Sequence, residues 1–252
     1  MNRSDMVTIH AFRAIDNVDL CTAYIREHRR VLEDFGVLQA VPSDHACMKD
    51  PDCIILLATH SELGLVGGIR IEKAKPGSKL PMEKSIAALD PTIVDAIAPY
   101  AANGCGEICG LWNANRFAGH GVPLLLSMAA VSVAHQVGLK SLTCFVAHYT
   151  LRHALKVGFQ ILENVGDGGA FNYPVPRIKS FAMVIPDTIL LESAPNAFRE
   201  RLISLRCRPI QERIETPTGQ PYPVRYVLHV DADRTDLSAY GAIASEHWRQ
   251  CA

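Results

Sequence analysis

The sequence predicts an α/β domain, a mixed β-sheet with helices packed on both faces, continued by a C-terminal extension. Three observations lead there. Residues 107–159 run strand, glycine-bearing turn, helix, strand and short helix, and a β-α-β-α order places helices on a sheet. Apolar residues upstream recur at helical spacing over 18–35. Between these two regions, the runs 53–59 and 65–74 have strand length and are bounded by turn residues. With 252 residues, 48% of them hydrophobic, the chain can bury one large core, or one core plus an appendage.

The elements follow in order. Residues 7–15 alternate and are rich in β-formers, and they end at Asp16-Asn17, where a side-chain oxygen can cap a helix. The helix over 18–35 presents Val18, Cys21, Tyr24, Ile25, Val31, Leu32 and Phe35 as a core stripe and stops at Gly36. Strands 53–59 and 65–74 are joined by His60-Ser61-Glu62 and Gly64 as an antiparallel hairpin. The first is apolar throughout, as a central strand is. After Lys75-Pro76-Gly77-Ser78, a stretch rich in Ala, Pro and Ile reads as an insertion or lid at about 75–105, with a helix near 92–100 opened by Asp90-Pro91. Next come a strand at 107–113, a helix over 122–137 stopped by Gly138, a strand at 141–147 and a helix over 149–157 ending at Gly158-Phe159. Residues 166–169 form a loop, 178–185 a strand, 194–205 an amphipathic helix and 223–230 a final strand. There is no internal repeat and no low-complexity tract.

Composition removes several classes of function. A formal net charge of -1, with both signs spread evenly, gives no basic field for nucleic acid. The eight cysteines have no short-spaced framework, and Cys53, Cys109 and Cys144 sit in apolar runs, so they read as buried free thiols. Cys105 and Cys109 lack a second pair, and His148 and His153 are a poor fit to one helical face, so no metal site is expected. No leader-like stretch follows Met1, and no apolar run reaches membrane-spanning length. The expectation is a soluble, cytoplasmic protein.

The turn Arg116-Phe117-Ala118-Gly119-His120-Gly121 carries the chemistry. A strand that turns into a helix leaves the first N–H groups of the helix unpaired, with the positive end of the dipole behind them. Such a site holds an anion when bulky Cβ atoms are absent at selected positions, as at Gly119 and Gly121, and Arg116 adds charge. A Rossmann reading fits worse, because G-x-G-x-x-G is incomplete and no acidic residue ends the next strand. The missing Gly-Lys-Ser/Thr excludes a Walker loop.

The spacing R-x-x-G-x-G between a strand and a long helix, with Gly158-Phe159 behind it, resembles the GNAT superfamily of N-acyltransferases over roughly residues 7–185. The resemblance implies a mixed, splayed sheet and a turn that cradles the pyrophosphate of acetyl-CoA or a longer acyl-CoA. It implies cofactor contacts from Leu111, Trp112 and Asn113 on the fourth strand, whose backbone supplies an oxyanion donor. Arg116, Phe117, Ala118, Gly119, His120, Gly121 and Val122 in the turn, and His148, complete the expected cofactor site. Trp112-Asn113-Ala114-Asn115-Arg116-Phe117 also resembles the W-E-x-S-R-F motif of acyl-homoserine lactone synthases. The region from Arg70 through Leu80-Pro81 to Tyr100 resembles the insertion that they and N-acyl amino acid synthases carry. Those proteins accept acyl chains from acyl carrier protein, which makes that protein a candidate partner and donor.

Acyl transfer to an amine acceptor needs a base, oxyanion donors and an acid for the leaving thiolate. Glu107, at the far end of the fourth strand, is the candidate base, with a solvated strand-start residue as its alternative reading; His120 is a weaker candidate. The family's tyrosine acid falls at Ala154, which leaves Tyr149 as the nearest phenol, and Asn113 stands where the synthases place glutamate. The functional expectation is an acyl-CoA-dependent N-acyltransferase. Its rivals are a carrier-protein-dependent N-acyl amino acid or homoserine lactone synthase, and a non-catalytic acyl-thioester-binding regulatory module. Residues 1–185 are expected to form the acyltransferase domain, with 186–252 packed on it to complete the acceptor pocket or a homodimer.

Overall fold

The structure, a computed structural model, describes residues 5–38 and 46–230. Among these residues, ten strands form one unclosed mixed sheet in the order β6-β8-β5-β4-β3-β2-β1-β10-β9, with β7 also paired to β8. Strands β1 (Val7–Arg13), β2 (Ile54–His60), β3 (Gly64–Lys73) and β4 (Cys105–Asn113) are successively antiparallel. Strand β5 (Ser141–Ala147) runs parallel to β4, and β8 (Lys179–Ile185) antiparallel to β5. Strands β6 (Gln160–Ile161) and β7 (Ala170–Asn172) are short additions on β8.

Helix α1 (Val18–Asp34) begins where the Asn17 side chain accepts from the Leu20 amide, as the sequence predicts. Leu20, Cys21 and Tyr24 of its buried face pack with Phe12, Ile55, Leu57 and Trp112 on one side of the sheet. Helix α4 (Val122–Ala134) covers the other side, against β2, β3 and β4. It is buried all round, so it lies between the sheet and α6 (Asn196–Cys207) rather than on the surface. It ends three residues before the expected Val137. Beyond that end the Gln136 amide donates to the Leu228 carbonyl and accepts from the Val230 amide, tying down the C-terminal segment.

Helices α2 (Pro81–Ile86) and α3 (Thr92–Ala101) lie in the expected insertion and bury Met82, Ile86, Ile93 and Ile97 with Ala182 and Val184 of β8. Helix α5 (Leu151–Lys156) starts two residues later than expected, after a turn through His148–Thr150. The largest difference is β9 (Ile210–Glu215), a strand that the residue pattern does not predict. Its side chains are charged or exposed on both faces, as on an edge strand, so it shows no apolar alternation. Strand β10 (Tyr222–Val227) pairs with β9 and lies parallel to β1, opposing Val224 to Val7. The segment after residue 185 therefore extends the same sheet as far as residue 230, and residues 231–252 of the expected extension lie outside the described residues. Among the described residues, no helix is long and apolar enough to cross a membrane.

A candidate active site in the gap between two parallel strands

Strands β4 and β5 pair only from Cys105↔Ser141 to Ile108↔Cys144, after which they part. The separation coincides with a bulge. Between the pairs Arg70↔Cys109 and Gly68↔Trp112, β3 contributes Ile69 alone, whereas β4 contributes Gly110 and Leu111. The bulge places Gly110 at φ +59°, and Tyr24 Oη donates to its carbonyl at 2.7 Å.

A cavity of about 290 Å³ opens at this point. Its walls include Ile25, His28 and Leu32 of α1 on one face of the sheet, and Ser127 of α4 with Ala154 of α5 on the other. The cavity therefore passes through the sheet where the two strands part. Glu107, Leu111 and Tyr149, three of the residues singled out from sequence, line it.

Glu107 is buried, and Oε2 accepts from the Met82 amide at 2.8 Å. This excludes the solvated strand-start reading. Burial, partly offset by that amide and reinforced by Glu72, pushes its carboxyl up to about 8. Tyr149 is half exposed and stacks on Phe35 from the end of α1, with ring centroids 6.1 Å apart; burial raises its phenol.

Three further residues line the cavity or flank it outside the strand-turn-helix motif. Arg70 pairs with Glu72 at 2.6 Å and lies beside Tyr24 and Gly110. Burial, with Arg70 nearby, pushes His28 down to about 4, so it is neutral at physiological pH. Burial, with Arg152 and Lys156, also lowers His153, whose Nδ1 has no hydrogen-bond partner. None of them lies in the glycine-bearing turn, and the meeting of α1, β3 and α5 across the gap is what brings them to one cavity.

The glycine-bearing turn sits at the end of β4, where the gap is open. Ala118, Gly119 and His120 are exposed. Gly121 is the N-cap of α4 at φ +73°, and Val122 is buried beneath it. A Cβ on Gly121 would lie 2.6 Å from Pro217 in the β9–β10 turn, whereas one on Gly119 would meet nothing within 4 Å. The hairpin thus covers one side of the turn and leaves the other open. Tyr222 Oη, also on the hairpin, donates to the His120 carbonyl at 2.8 Å. The His120 ring stacks on buried Phe117 with centroids 4.1 Å apart.

Other expected cofactor residues are committed elsewhere. The Arg116 guanidinium donates to the carbonyls of Leu63 and Leu65, bracing the β2–β3 hairpin. The Trp112 indole is packed in the α1-side core, which leaves its backbone alone for a cofactor. Asn113 Nδ2 lies 3.5 Å from the Phe117 carbonyl, so its side chain serves the turn. His148 is exposed, and its amide closes on the Lys179 carbonyl at 2.8 Å. Among the described residues, no group of three or more His, Cys, Asp or Glu side chains could hold a metal ion.

No family model matches the chain, and no curated protein is similar to it in sequence. Solved structures are similar in fold. FeeM, an N-acyl amino acid synthase from uncultured soil microbes, superposes with a TM-score of 0.59 at 15% identity, covering 77% of this chain and 97% of FeeM. BjaI with MTA, a CoA-dependent acyl-homoserine lactone synthase, gives 0.53 at 15% identity over 94% of this chain and 99% of BjaI. MesI, another CoA-dependent acyl-homoserine lactone synthase, gives 0.52 at 14% identity over 79% and 95%. The chain has a GNAT-like fold, with a large mixed sheet that splays between β4 and β5.

Proposed function

We propose that this chain transfers an acyl group from an acyl-CoA to a small amine acceptor by direct attack within a ternary complex. The observation that carries the reading is the through-sheet cavity at the β4–β5 gap, with a helix-capping turn at its open end that stays open on its Gly119 side. The turn offers backbone donors to a pyrophosphate, and the gap accepts an extended pantetheine arm as a strand would be accepted. FeeM, MesI and BjaI are described as acyl-transferring synthases, two of them CoA-dependent, which supports the same reading.

In this mechanism Glu107 is the base. An ammonium acceptor must lose a proton to attack, and a carboxyl held near 8 by burial is matched in proton affinity to that task. The new C–N bond forms at the thioester carbon, the oxyanion is met by the β4 backbone at Leu111, and the C–S bond breaks. Tyr149, half exposed on the cavity wall, gives a proton to the thiolate, and its phenolate is made good by the proton that the nitrogen sheds as the amide forms. Residues 1–185 carry this machinery, and the segment after 185 closes over the turn through Tyr222 and Pro217.

Cavity size favours a second reading, a synthase that takes a longer acyl chain from acyl carrier protein to make an N-acyl amino acid or a lactone. A volume of about 290 Å³ exceeds what an acetyl group fills and lies near the lower bound of ligand-sized pockets. The experiment is thiol release from acetyl-, octanoyl- and hexadecanoyl-CoA, and from octanoyl carrier protein, against a panel of amines and amino acids. Turnover with a CoA ester supports the first reading, and turnover only with the carrier protein supports the second. Saturable binding without turnover on any acceptor would leave an acyl-thioester-binding module.

A further inference from the structure

The bulge in β4 has a dedicated clamp. Tyr24 is buried on α1, seven residues or about two turns past the helix N-cap at Asn17, and its Oη donates to the Gly110 carbonyl at 2.7 Å. A Cβ at position 110 would lie 2.1 Å from that oxygen, so the contact is built for glycine; φ +59° demands glycine independently. Gly110 and Leu111 have no partners in β3 and lie past the last β4–β5 pair, so the ladder does not fix their peptide groups.

A trans peptide is planar, with the carbonyl of one residue and the N–H of the next pointing in opposite directions. The only cis bond among the described residues is Tyr173–Pro174. Holding the Gly110 carbonyl toward α1 therefore turns the Leu111 N–H away from α1, toward the face of the sheet on which Ser127 of α4 lines the cavity. We infer that Tyr24 is a positioning residue: its hydroxyl clamps the Gly110 carbonyl so that the Leu111 N–H stands in the gap as the oxyanion donor. The Tyr24 side chain lies behind the cavity wall rather than among the residues that line it. It acts by pre-orienting a dipole, and a donor fixed before the reaction costs no reorganisation when charge develops. Arg70 Nη1 would lie 3.1 Å from a Cβ at position 110, which adds a positive charge beside the same peptide. The inference rests on the acyl-transfer reading and names how its oxyanion site is built.

The probe is [1-13C]octanoyl-CoA, followed by isotope-edited infrared spectroscopy, which needs no acceptor. Bound to the unaltered protein, the thioester carbonyl band is expected to move to lower frequency than in water-free reference complexes that lack a donor. In Tyr24→Phe, calorimetric affinity and melting temperature stay close to those of the unaltered protein, while most of that displacement is lost. A merely structural tyrosine would lower the melting temperature and leave the band of the folded fraction in place, and an unchanged band overturns the inference. If Tyr24→Phe does not fold, [15N]leucine labelling of the unaltered protein decides. The Leu111 amide proton is expected to move downfield on octanoyl-CoA binding, and an unmoved resonance overturns the assignment. Failure of octanoyl-CoA to bind the unaltered protein at all would overturn the acyl-transfer reading itself, a distinct result.

Discussion

Replacing Glu107 with glutamine tests the buried carboxyl without an assay for activity. Glu107 opposes Glu72 and Thr143 in the sheet and has one oxygen on the Met82 amide. Its folded-state pKa is about 8, against an ordinary 4.5. The sign follows from linkage: between these values the folded chain holds a proton that the unfolded chain has released. Stability must therefore fall as pH rises through 4.5 to 8, and be flat with respect to this group outside that window. At about 1.4 kcal/mol per unit, the full displacement corresponds to a penalty on the order of 5 kcal/mol by pH 8. Glutamine cannot ionise, yet its amide oxygen can still accept from Met82. Urea denaturation of both proteins at pH 5, 6.5, 8 and 9 measures the difference. Glu107→Gln should gain on the parent steadily up to about pH 8 and then hold its lead. Parallel pH profiles would refute the argument, because they would mean that Glu107 ionises normally in the folded state.

Three further outcomes are expected. If Glu107 is the base, transfer at saturating acyl-CoA should rise with pH to a half-maximum near 8, and Glu107→Gln should remove that rise along with most of the rate. Gly121→Ala puts a methyl 2.6 Å from Pro217 at φ +73°, so thermal or urea melts should show a loss of roughly 1–3 kcal/mol, and calorimetry a weaker affinity for CoA. Tyr222→Phe deletes the bond to the His120 carbonyl, worth about 1 kcal/mol, and should weaken CoA binding roughly fivefold with little change in fold by circular dichroism.

The sequence made the fold legible where pattern and burial coincide. The stripe over 18–35 became α1, the wholly apolar 53–59 became the central strand β2, and Gly121 became the N-cap of α4. Strand β9 was not legible, because an edge strand with Glu212 and Arg213 beside exposed Ile210 and Ile214 has no apolar face to announce it. The cavity divides in the same way. Glu107, Leu111 and Tyr149 lie on elements that the strand-turn-helix motif picks out. Tyr24 reads as helix stripe, Arg70 as strand, and His28 lies in the helix without belonging to the stripe; the meeting of Tyr24 with the bulge depends on a contact with Gly110, 86 residues away. Arg116 shows the opposite limit, for its charge is where the motif puts it, but its guanidinium is spent on the carbonyls of Leu63 and Leu65.

Calorimetric titration with acyl-thioesters decides whether the turn and gap bind a CoA ester. Saturable binding of one octanoyl-CoA per chain is expected, competed by free CoA and weakened in Gly121→Trp, where the indole would collide with Pro217 and crowd the turn. No saturable binding of acetyl-, octanoyl- or hexadecanoyl-CoA, nor of octanoyl-pantetheine, would contradict the acyl-transfer reading.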